Sequence, residues 1–245
     1  MRKLALLVAA VVSLAAAATA YAVTDTVTYK VSISPSKAGH KPGLTYKATT
    51  SVHGPGGTQP DGVSELDVFF ARQFRNNGAA FPSPCKQSDI DGKTAIPHKC
   101  NKALIGSGTA TANAGTAGSS SLGSENLTVK LFNASHGKSV LLVVNGTSPF
   151  AIHNRVIVGK VKRLAHGKFG YEDVFVVPQS LQTIPGTAIP SVITDSTLSI
   201  GRTFHHIGYA QLTGCPRSKK LAAKLTYKFT NGTSSTGTAT IACKR

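Results

Sequence analysis

The chain has 245 residues, with 27 Lys and Arg against 10 Asp and Glu, a formal charge of +17 and no Trp. Such an excess attracts polyanions over long range but says nothing of fold, and so few carboxylates leave little material for acid–base catalysis or a calcium site. Regular apolar patterning excludes a disordered chain.

Arg2 and Lys3 precede an uncharged stretch of mostly Ala, Leu and Val from Leu4 to Thr19. Ala20-Tyr21-Ala22 then supplies small residues at the two positions a signal peptidase reads. This is the three-part pattern of a secretory signal. Residues 1–22 are therefore expected to be a signal peptide, with a retained membrane anchor as the alternative. Residues 23–245 then form a single β domain that keeps a formal charge of +15 without Arg2 and Lys3. No later apolar run reaches the roughly 20 residues a membrane helix needs, so no transmembrane segment is expected after cleavage. The expected location is secreted or at the extracytoplasmic cell surface.

Period-two alternation dominates residues 23–245 and predicts strands. Val27, Tyr29, Val31 and Ile33 alternate with Thr26, Thr28, Lys30 and Ser32. Leu44, Tyr46 and Ala48, then Leu66, Val68 and Phe70, then Leu127, Val129 and Leu131 repeat the pattern. Val140 to Val144 is continuously apolar and predicts a strand buried on both faces. Arg155–Val161, Val174–Val177, Ser191–Ile200 and Ile207–Leu212 are further candidates. Asp61-Gly62, Asn77-Gly78, Asp91-Gly92, Asn145-Gly146 and Asn231-Gly232 punctuate the strands as turns. Residues 113–124, rich in Gly and Ser, are expected to be a long surface loop. At the end of the chain Leu221, Ala223, Leu225, Tyr227 and Phe229 form one face of a strand, while Lys220, Lys224 and Lys228 lie on the other with Ala222 and Thr226. A turn centred near Thr233 would set Leu225 opposite Ile241 and Ala223 opposite Cys243. No helix longer than two turns is expected. The fold class is all-β, an antiparallel β-sandwich, with a β-barrel or two small β domains as alternatives.

The four cysteines are Cys85, Cys100, Cys215 and Cys243. An even number in an exported chain predicts disulfides. The pairing expected is Cys85–Cys100 and Cys215–Cys243, because each pair brackets one local segment. The rival is a zinc site, but no C-x-x-C occurs and no His stands at ligand spacing.

No catalytic residue, metal ligand or cofactor site is legible in the chain. There is no G-x-S-x-G, no phosphate-binding loop with its lysine, and no H-E-x-x-H. Ile105-Gly106-Ser107-Gly108-Thr109 lacks the third glycine of a dinucleotide fingerprint and predicts a bend or bulge in a strand. His205-His206 predicts a turn. Glu65 and Asp67 share a strand face, and Glu172 and Asp173 diverge as strand neighbours must. Sequons stand at Asn126, Asn133, Asn145 and Asn231, with no obligatory glycan expected. Arg217, Lys219, Lys220, Lys224 and Lys228 gather around one strand and the loop before it, and Lys160, Lys162 and Arg163 form a second basic cluster. Four-residue spacing along a strand places like charges about 13 Å apart, which suits an extended polyanion. The lysine face has no interleaved aromatics for stacking bases, so no specific nucleic acid is predicted.

Phe81-Pro82-x-x-Cys85, Cys100, Ile105-Gly106-Ser107-Gly108-Thr109-Ala110, Val177-Pro178, Cys215-Pro216 and a closing strand at Cys243 together resemble a group of exported, uncharacterised bacterial β-rich proteins with paired cysteines. The resemblance implies no activity.

The expectation is an exported, non-enzymatic binding or structural module of the cell envelope or extracellular space, touching an anionic surface polymer or polysaccharide through the lysine-rich face. The alternatives are a carrier of a small apolar ligand and a hydrolase with a loop-built site. A flat basic face, a dry pocket, or a deep pocket lined by His and carboxylates separates the three.

Overall fold

Alternation becomes strand along the whole of the computed structural model, which describes residues 24–245. The signal-peptide reading of residues 1–22 lies outside the described residues. The strands are β1 (Thr26–Ser34), β2 (Thr45–His53), β3 (Val63–Ala71), β4 (Phe74–Asn76), β5 (Leu104–Ala114), β6 (Gly123–Ala134), β7 (Ser139–Asn145), β8 (Arg155–Arg163), β9 (Phe169–Val176), β10 (Ser191–Ile200), β11 (Thr203–Phe204), β12 (Ile207–Gly208), β13 (Ala210–Leu212), β14 (Lys220–Phe229) and β15 (Ser234–Ala242). Among the described residues helix is confined to one turn, α1 (Gln87–Ile90), and short 3-10 segments.

Eleven strands make one sheet in the order β1-β2-β10-β5-β6-β7-β8-β9-β3-β14-β15, and β11–β12 and β13–β4 form two small ribbons. The large sheet curls until β15 lies against β1. The fold is thus all-β and antiparallel, in the barrel form and not the sandwich, because the ladder never breaks into two facing sheets. Every hydrogen-bonded neighbour pair is antiparallel. With an odd number of strands, the two ends must then meet pointing the same way. A parallel bridge between Lys37 and Lys244 ties one end of this seam. Parallel pairing is the less stable kind, and side-chain packing rather than a ladder closes the rest.

The segment between β4 and β5 wraps the outside of the barrel. Cys85, Ile90, Cys100 and Ala103 pack on the outward side chains Phe132, Ala134, Leu141, Val143 and Val156 of β6, β7 and β8. Val140, Leu142 and Val144 point the other way, into the barrel, so β7 is buried on both faces as its continuous apolar run predicts. Asn133 fixes the wrap: its buried Nδ2 donates to the carbonyls of Gly78, Phe81 and Pro82 at 2.9, 3.2 and 3.2 Å.

Both expected disulfides are present, Cys85–Cys100 and Cys215–Cys243, with Cα–Cα distances of 5.3 and 5.8 Å, and no thiolate remains for zinc. They fit an oxidising, extracytoplasmic environment. Among the described residues no helix is long and apolar enough to cross a membrane. The β14–β15 register differs from expectation: Leu221 faces Ile241, Ala223 faces Ala239 and Leu225 faces Gly237. The reason is a tighter turn. Thr233 N donates to Asn231 Oδ1 at 2.8 Å, Gly232 takes φ +84°, and Phe229 N donates to Thr233 O. The turn centre moves two residues towards the amino end and the pairing by four, an even shift that keeps every side chain on its expected face. The bulge at Ile105 is present, marked by a register shift between Leu104 and Gly106. The 113–124 loop is shorter than expected, since β5 runs to Ala114 and β6 starts at Gly123.

Candidate functional site

The lysine-rich face lies outside the barrel. Lys224 holds its ammonium 3.6 Å from the centre of the Phe69 ring. Lys228 bridges Glu65 and Asp67, with Asp67 Oδ2 at 3.1 Å. The pair therefore has unlike environments: the Lys228 hydrogen bond lowers the Glu65 carboxyl, whereas burial raises Asp67. The same contacts push the Lys228 ammonium up to about 12. Lys162 of the second cluster pairs with Glu172 at 3.6 Å. Arg217, Lys219 and Lys220 are exposed and make no ion pair among the described residues.

His205 and His206 form the turn between β11 and β12 with φ of +46° and +62°, the pattern of a type I′ hairpin. Among the sequons, Asn126 is exposed on β6, whereas Asn133 is buried and Asn231 Nδ2 donates to Asp61 Oδ2 at 2.6 Å.

Inside the barrel the side chains do not fill the space. Leu66, Val68 and Phe70 of β3 and Leu198 and Ile200 of β10 face inward, yet each keeps accessible surface. What they face is a pair of adjoining apolar cavities of about 120 and 100 Å³. Leu66, Leu142, Phe175, Ser196, Leu198 and Tyr227 line both. Protein interiors rarely hold voids much larger than a water molecule. At about 24 cal/mol per Å³ a cavity of this size costs roughly 3 kcal/mol.

The larger cavity has aromatic walls and a few polar groups. The rings of Tyr46, Phe70 and Phe74 meet edge to face at centroid distances of 5.3 to 6.3 Å. The Tyr29 and Tyr46 hydroxyls bond each other at 2.6 Å, and Thr50 Oγ1 bonds Ser196 Oγ at 2.7 Å while accepting from Tyr227 at 3.3 Å. Burial raises all three phenols, Tyr29 to about 12. Two groups stand apart from this network. The Tyr209 hydroxyl is buried near the Asn76 side chain and makes no hydrogen bond of ordinary geometry among the described residues. Asp173 lies in the ladder between Val68 of β3 and Val161 of β8, on the inner face, where it is half-buried and lines the cavity. Glu172 points outward to Lys162, so the expected divergence of the two carboxylates holds. Burial, with the Glu172 charge adding to it, pushes the Asp173 carboxyl up to about 7, and no hydrogen bond offsets the effect.

Sequence reasoning does not single out these residues. Alternation assigns Tyr29, Tyr46, Leu66 and Phe70 to an inner face but cannot say whether opposite walls meet. Asp173 gives a faint signal, as an acidic residue in phase with the inward-facing Tyr171 and Phe175. Compared with protein families, curated proteins and solved structures, the chain matches none.

Proposed function

We propose that this is an exported, non-enzymatic carrier that holds a small, largely apolar ligand inside the barrel. The observation that carries the reading is the pair of adjoining cavities, about 120 and 100 Å³, walled by Leu, Val, Ile, Phe and Tyr. An apolar void of about 150 Å³ in a protein core stays dry and takes up benzene, so this interior is on the scale of one small ring or short chain. A bound ligand restores the dispersion contacts that the empty wall forgoes. The signal sequence and the two disulfides support an extracytoplasmic place of work. Contact with an anionic polymer has thinner support, because Lys224 and Lys228 are engaged within their own sheet face.

The test is calorimetric titration of the purified protein with neutral aromatic probes, toluene and benzyl alcohol. Ala48 lines the larger cavity, and Ala48→Phe fills it. One-to-one binding that raises the unfolding temperature and is lost in Ala48→Phe supports the carrier. No binding by either probe overturns it.

A further inference from the structure

Most polar groups on the larger cavity are satisfied by one another, but the Asp173 carboxyl and the Tyr209 hydroxyl that face it are not. We infer that the ligand is a small lipophilic amine, its ammonium group held by Asp173 and its apolar body by the aromatic wall of Tyr46, Phe70 and Phe74. This rests on the carrier reading and names its ligand class.

Asp173 is flanked by Val68 and Val161 in the ladder and forms no ion pair among the described residues. A carboxylate taken out of water is stable only with a counter-charge or a proton. The described residues supply no close counter-charge. Arg75 is the one cation on the cavity lining, and it is exposed at the rim, where solvent screens it. The other titratable groups facing the cavity are the phenols of Tyr29, Tyr46, Tyr171, Tyr209 and Tyr227, and Glu172 lies beside Asp173 on the outer face. None of them neutralises a carboxylate. Tyr209 offers a hydroxyl with no ordinary hydrogen bond among the described residues, which accepts a second ammonium proton. Aromatic faces around a desolvated cation strengthen its binding further.

A fatty acid is the opposite case. Its carboxylate would enter beside Asp173, and two like charges in an apolar cavity repel. A neutral alcohol satisfies Tyr209 but leaves Asp173 without a counter-ion.

The experiment compares benzylamine, benzyl alcohol and benzoate by calorimetry on the whole purified protein, at pH 8 and pH 5, with Asp173→Asn in parallel. The expected result at pH 8 is benzylamine at least tenfold tighter than benzyl alcohol, with benzoate weakest. That preference shrinks at pH 5 and vanishes in Asp173→Asn, while benzyl alcohol still binds the variant. Equal or tighter binding of benzyl alcohol or benzoate to the unaltered protein at pH 8 overturns the amine and leaves the carrier standing, without depending on the variant. Unchanged amine preference in Asp173→Asn also overturns it. Binding of none of the three removes the carrier itself, and the amine with it.

Discussion

Gly237 of β15 lies so close against Tyr29 of β1 that a Cβ added to the glycine would sit 2.7 Å from the tyrosine Cβ and 3.0 Å from Val27 Cγ1. The barrel has no hydrogen-bonded ladder along this part of the seam, so closure depends on that approach. Tyr29 also carries the hydroxyl bonded to Tyr46 at the cavity wall. The seam and the cavity are thus set by one residue.

Gly237→Ala therefore forces β15 away from β1. Overpacking of this kind costs about 1–3 kcal/mol, and we expect a loss of that size in urea unfolding, together with weaker probe binding in the cavity. Gly214→Ala is the control, since no atom lies within 4 Å of its added Cβ and it should change neither.

Stability should rise as pH falls from 8 to 5. The Asp173 carboxyl titrates at about 7 in the folded chain against an ordinary value of 3.8. Between those values the folded state holds a proton that the unfolded state releases. Its contribution to stability is therefore full at low pH and lost as pH rises through about 7. Asp67, also raised by burial, has the same sign. Asp173→Asn should flatten most of the dependence and unfold later at pH 8, by on the order of 2–4 kcal/mol. Thermal unfolding of both proteins at pH 5, 6, 7 and 8 checks it; a flat profile for the unaltered chain contradicts the burial of this carboxylate.

Strands, turns and disulfides were legible because their causes are local. Period-two alternation fixes which side chains share a face, and Cys85–Cys100 and Cys215–Cys243 each close a short segment. The barrel was not legible, because it depends on partners distant in sequence: β10 inserts between β2 and β5, and β3 lies between β9 and β14. The Asn231 side chain sets the β14–β15 turn, and that one bond decides a register that apolar matching alone leaves free by any even step. The cavity was hidden for a further reason. Leu66, Leu142 and Leu198 look like core residues in sequence, and only the barrel's width leaves space between them.

Asn133 tests how the outer wrap is held. Its amide is buried and donates to three carbonyls of residues 78–82. Asn133→Ala leaves the Phe81 and Pro82 carbonyls without this donor, while Gly78 O keeps the Phe81 amide, at a cost of about 1–3 kcal/mol. We expect faster amide exchange centred on residues 78–82 and weaker binding of benzyl alcohol, because Asn133 shares the inner face of β6 with Val129 and Leu131 and Phe81 packs edge to face on Tyr209 at the cavity wall, 5.3 Å between ring centres.

The two disulfides should differ in what they protect. Chain entropy favours the longer loop slightly: a separation of 28 residues for Cys215–Cys243 against 15 for Cys85–Cys100 corresponds to about 3.5 and 3 kcal/mol. Cys243 also adjoins Lys244, whose backbone binds Ser36 and Ala38 and so ties β1 to the end of β15. Losing Cys215–Cys243 loosens that tie as well as the loop. The double variant Cys215→Ser/Cys243→Ser should therefore lose both stability and probe affinity. Cys85→Ser/Cys100→Ser should lose stability alone, since its segment packs outside β6, β7 and β8. Urea unfolding and benzyl alcohol titration on the two variants measure both quantities. If the outer pair also governs affinity, the cavity depends on the wrap and the seam is not its principal closure.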